Sequence, residues 1–99
     1  MIEIKFTADE FVNGYKKVLE LTVESYRAEV ETYNTATMSV KGITLAVETT
    51  LSTLEIYGIA NNVQIKEIME KITGLKKIGL IALDKIKEER ELGNVQRKP

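Results

Sequence analysis

The chain has 99 residues and a mass of 11.2 kDa, enough for one hydrophobic core and too few for two. It contains no Cys and no His, so disulfides, thiolate nucleophiles, imidazole bases and Cys/His zinc sites are excluded. With 43% hydrophobic residues, 29% charged residues and a net charge of −1, disorder is not expected and bulk attraction to nucleic acid has no basis.

From the N-terminus, Ile2, Ile4 and Phe6 alternate with Glu3 and Lys5, the pattern of a short half-buried strand. Thr7-Ala8-Asp9-Glu10 then has the spacing of a capping box, which starts a helix at Ala8. Phe11, Val12, Tyr15, Val18, Leu19, Thr22, Val23, Tyr26, Val30 and Tyr33 recur at steps of three and four and form one stripe, so this helix is predicted to run to about residue 33. Gly14 lies inside it at a cost of about 1 kcal/mol relative to Ala.

Seven threonines fall between residues 32 and 53, and β-branched side chains favour sheets over helices. A hairpin turning at Lys41-Gly42 pairs Val40 with Ile43, Met38 with Leu45 and Ala36 with Val47, which places every large apolar residue on one face. A competing helical pattern runs through Ile43, Val47, Leu51, Leu54 and Gly58, but it leaves the N-terminal strand without a partner. Residues 49–62 are ambiguous between helix and strand, and Asn61-Asn62 breaks whatever precedes it. Beyond it, Ile65, Ile68, Met69 and Ile72 form a helical face, Gly74 suits a helix end, and a further helix resumes from Leu75 to Leu92. Gly93 stops that helix.

The resulting expectation is one α+β domain over residues 1–93, with helices packed on one face of a small sheet, and a loose basic tail over 94–99. The alternative is an all-α helical bundle. The longest apolar stretch, Ile78 to Leu83, has six residues where a bilayer span needs about 20, and the acidic N-terminus lacks an export signal. No membrane association and a cytoplasmic location are expected.

Candidate sites are few. Tyr15, Tyr26 and Tyr33 would fall on one line of a continuous helix, as the edge of a core or as a recognition surface for a protein. Residues 78–83 are apolar on nearly every side, which points Ile78 and Ile81 into the core or a subunit interface. Nine acids against five bases leave −4 over residues 1–60, and six acids against nine bases leave +3 over 61–99. The basic half offers Lys76, Lys77, Lys85, Lys87, Arg97 and Lys98 as candidate nucleic-acid contacts, but glutamates are interleaved with them.

Catalytic motifs are missing. Gly74-Leu75-Lys76-Lys77-Ile78-Gly79 has phosphate-loop glycine spacing, yet Leu80-Ile81 stands where Lys and Ser/Thr are required. No serine opens a Ser-x-x-Lys, and the pairs Glu29 with Glu31 and Glu88 with Glu89 point apart on a helix, so no metal or cofactor is expected. The sequence therefore suggests a non-enzymatic, self-associating protein-binding module. An accessory protein of a phage or mobile element that inhibits a host complex, such as an anti-CRISPR, has this size and lack of catalytic groups. The alternative is a small nucleic-acid-binding protein using the basic C-terminal helix and tail.

Overall fold

The computed structural model describes residues 7–96, and side chains as far as Gly93. Three helices account for nearly all of it: α1 (Ala8–Arg27), α2 (Tyr33–Ile56) and α3 (Asn62–Gln96). Among the described residues there is no strand, so the α+β expectation is overturned in favour of the all-α alternative. The proposed strand at Ile2–Phe6 and the basic residues Arg97 and Lys98 lie outside the described residues.

The hairpin at Lys41-Gly42 is the largest correction. Both residues lie in the middle of α2, and the threonines that argued for a sheet are accommodated by back-bonding. Thr37, Thr44, Thr49, Thr50 and Thr53 each donate their hydroxyl to the carbonyl four residues earlier, at 2.6–3.1 Å. Such bonds satisfy the hydroxyl inside a helix, so the propensity cost is small beside the packing of an amphipathic face. Ala36, Val40 and Leu51 are buried, with Ile43 and Val47 packed against them. Met38 and Leu45, assigned to that same face by a sheet, stand 72% and 64% exposed on the opposite side of the helix.

Each helix boundary has a local cause. Thr7 donates to Glu10 Oε2 at 2.6 Å before α1, although its side chain does not reach a backbone N–H. At α3, Asn61 and Gln64 form a reciprocal capping box, each side chain accepting from the other's backbone N–H at 2.8 and 3.1 Å. Thr32 caps α2 by accepting from the Thr35 N–H at 3.1 Å.

Helices α1 and α2 end in equivalent turns. Val30 N–H returns to the Ser25 carbonyl and Glu29 N–H to Tyr26, as Ile59 N–H returns to Leu54 and Gly58 N–H to Glu55. Both are Schellman motifs. Their pivot residues are left-handed, Gly58 at φ 71° and Glu29 at φ 64°. Glycine adopts this region freely, whereas a residue with a Cβ is strained there by roughly 1–2 kcal/mol. Glu29→Gly is therefore expected to raise unfolding stability by about 1 kcal/mol in urea titrations, and Gly58→Ala to lower it by a similar amount.

These turns fold α2 back against α1 and bring α3 alongside both. Tyr15 meets Thr44 and Tyr26 meets Tyr33, eleven residues on in α1 and eleven back in α2, so the two run antiparallel. Leu19 touches Gly79, and Tyr26 lies under Arg90, so α1 and α3 run in the same direction. The core is a seam in which α3 contributes Ile65, Ile68, Ile72, Leu83 and Ile86 at helical spacing. Gly74, read as a helix end, is an exposed interior position of α3, and the helix passes Gly93 without stopping.

Candidate interaction surfaces

The tyrosine row is dismantled by the turn at residues 28–32. Tyr15 and Tyr26 are buried between the helices, and Tyr33 opens α2 instead of extending α1. Tyr15 and Thr44 share a buried 2.6 Å hydrogen bond. Because the Thr44 hydroxyl donates its single proton to the Val40 carbonyl, Tyr15 is the donor in this pair. Burial raises the Tyr15 pKa, the Thr44 hydroxyl opposes that rise because it can turn to donate to the phenolate once the proton leaves, and the charge of Glu48 adds to it.

Tyr26 and Tyr33 meet at the opposite end, with ring centroids 6.0 Å apart and planes tilted by 59°. Two cations of α3 cover them: Lys87 Nζ lies 4.2 Å from the centre of the Tyr33 ring, and the Arg90 guanidinium 4.4 Å from that of Tyr26. Tyr33 donates to Asp84, which raises its pKa by stabilising the protonated phenol. Arg90 also donates to the carbonyls of Tyr26 and Arg27 at 2.6 and 2.8 Å, satisfying the end of α1 with a charged donor. Sequence reading missed Arg90, because carbonyls freed by a helix end are invisible until that end is located. These aromatic residues hold the bundle together and leave no recognition row.

The apolar stretch of α3 divides differently. Leu83 is fully buried and Gly79 packs on Leu19, while Ile78 and Ile81 are 65% and 56% exposed. Ile78 borders a shallow groove of about 200 Å³ between α1 and α3, floored by Leu19, Val23, Leu75, Gly79 and Ala82. Lys16, Glu20 and Glu24 form its charged edge on α1. Its floor is hydrocarbon, and no converging set of polar groups lies in it, so it suits an apolar side chain from a partner better than a metabolite.

The basic candidates do not converge. At 100° per residue, Lys76 and Lys87 fall on one side of α3, Lys77 to its flank and Lys85 on the far side, so they describe no phosphate-tracking stripe. Lys87 is engaged over Tyr33. Among the described residues, no group of three or more Asp or Glu is placed to hold a metal ion, and no helix is long and apolar enough to cross a membrane.

A second uncharged surface lies on α2. Only Lys41, Glu48 and Glu55 are charged among its 24 residues, and its outward side carries Met38, Gly42, Leu45, Thr49, Ser52 and Ile56, all exposed. The paucity of charge over residues 33–56 is the signal the sequence carries for a helix with two uncharged faces, and the threonine content that favours a sheet concealed it. No protein-family model, no curated protein and no solved structure matches the chain.

Proposed function

We propose that this protein is a non-enzymatic, cytoplasmic binding module that presents helical surfaces to a protein partner. The observation that carries the reading is the groove between α1 and α3, where Ile78 stands two-thirds exposed above an apolar floor. A monomer gains nothing from an isoleucine held in water, and a contiguous apolar patch edged by charge is the usual form of a protein-binding site. Inhibition of a host complex by an accessory protein is one case of such binding.

The test is affinity capture from the source cells with the wild-type chain and with Ile78→Asp/Ile81→Asp, followed by rebinding of the purified partner. Both positions are exposed, so the variant should keep its helical circular dichroism and melting temperature. The expected result is a defined protein partner whose affinity falls at least tenfold, about 1.4 kcal/mol, in the variant. Equal affinity for both chains would refute the assignment of this surface. Salt-dependent anisotropy changes with short DNA or RNA, in the absence of any protein partner, would replace the reading with nucleic-acid binding.

A further inference from the structure

The outward face of α2 has a repeat that the three-helix packing does not use. Met38, Gly42, Leu45, Thr49, Ser52 and Ile56 follow one another at steps of four and three, the spacing of a coiled-coil seam, and every one of them is exposed. No charged residue interrupts this line in a chain where 29% of residues are charged. The charges of α2, Lys41, Glu48 and Glu55, are seven residues apart and occupy one flank of the seam, while Ser39, Ala46 and Thr53 occupy the other. Glu48 acts on the Tyr15 phenol, so the charged flank is the one beside α1. From there Val18 and Leu21, 40% and 68% exposed, widen the apolar patch, and the register of the two helices sets Leu21 level with Met38.

We propose that this face binds a second copy of the same chain, with the two α2 helices antiparallel about a two-fold axis between Ile43 and Thr44. The inference rests on the binding-module reading and adds to it a second surface, whose partner is the chain itself. Three features argue for self-pairing in this orientation. In the antiparallel register, Leu45 lies opposite the partner's Gly42, and Met38 lies opposite the partner's Thr49, so the two large side chains nearest the axis each meet a small one. Space above Gly42 is open, with no heavy atom within 4 Å of where a Cβ would stand, so the glycine leaves a hole for a leucine knob. Finally, Lys41 comes beside the partner's Glu48, and the two-fold repeats the pair, so the flanks are charge-complementary only to themselves. A parallel pairing would stack Gly42 on glycine and set both charges against the uncharged flank.

Charged residues line only one side of the seam and its layers hold threonine and serine, so the association is expected in the micromolar range. Sedimentation equilibrium of the full chain from about 1 µM to about 1 mM should show the mass rising from 11.2 kDa towards twice that value. Gly42→Leu fills the hole yet removes a helix-interior glycine, so this variant should fold at least as well and remain a monomer throughout. Lys41→Glu, which sets a glutamate against the partner's Glu48 in both symmetry-related pairs, should weaken association at least tenfold, and Lys41→Glu/Glu48→Lys should restore it. A wild-type chain that stays at 11.2 kDa at every concentration would overturn the proposal, as would a Gly42→Leu variant that dimerises as well as wild type. Loss of partner capture by Ile78→Asp/Ile81→Asp is read separately, so failure of the dimer and failure of the binding-module reading are distinguishable.

Discussion

Leu83→Ala is expected to destabilise the protein by about 2–5 kcal/mol, while Ile81→Ala, two residues earlier on the same helix, should change stability by no more than about 0.5 kcal/mol. Leu83 is completely enclosed, and truncating it leaves a cavity that three packed helices can only partly close. Ile81 is more than half exposed and loses little on truncation, while alanine improves the helix propensity of the site. Urea denaturation of the two variants measures both differences. Equal effects would mean that the apolar stretch of α3 is buried uniformly, which would withdraw the exposed isoleucines from any binding role.

The buried pair between α1 and α2 gives a second, non-additive prediction. Thr44→Val removes the acceptor of the Tyr15 hydroxyl and strands a phenol in a site only 3% exposed, at a cost of about 1–3 kcal/mol. Tyr15→Phe removes the donor and should cost about 1 kcal/mol, because Thr44 keeps its bond to the Val40 carbonyl. The double variant leaves nothing unpaired and should be more stable than the sum of the single effects implies. Alkali reads the same pair. Tyr15 and Tyr33 both have pKa values raised in the folded chain, so the native state holds protons that the unfolded state has released. Stability is therefore expected to fall as pH rises above about 10, and Tyr15→Phe should reduce that slope.

What the sequence revealed of the fold depended on how local each cause is. Thr7 and Glu10 marked the start of α1 because a cap is a contact between near neighbours, and Asn61 marked the gap before α3 for the same reason. The end of α1 was illegible, since a left-handed pivot is normally signalled by glycine and here it is Glu29. That one concealed turn produced the error about the tyrosines, which line up only if α1 continues to residue 33. The hairpin error came from alternation. Ala36, Met38 and Val40 suit a strand face in sequence, but the helix sends Met38 out and the other two in. Threonine composition reinforced the wrong choice because its back-bonding in a helix shows only once the helix exists. The exposure of Ile78 and Ile81 was legible in part because a run apolar on every side must overflow a narrow core, whereas the uncharged outer face of α2 was hidden inside the supposed sheet.

The helical assignment of α2, on which the exposed seam depends, is tested most directly by comparing Val40→Lys with Met38→Lys at concentrations too low for association. A helix puts Val40 in the core and Met38 in water, so Val40→Lys should cost at least about 3 kcal/mol or abolish folding, and Met38→Lys should stay within about 0.5 kcal/mol of wild type. Comparable losses from both substitutions would place the two side chains on one buried face, as a strand does, and would contradict the three-helix account.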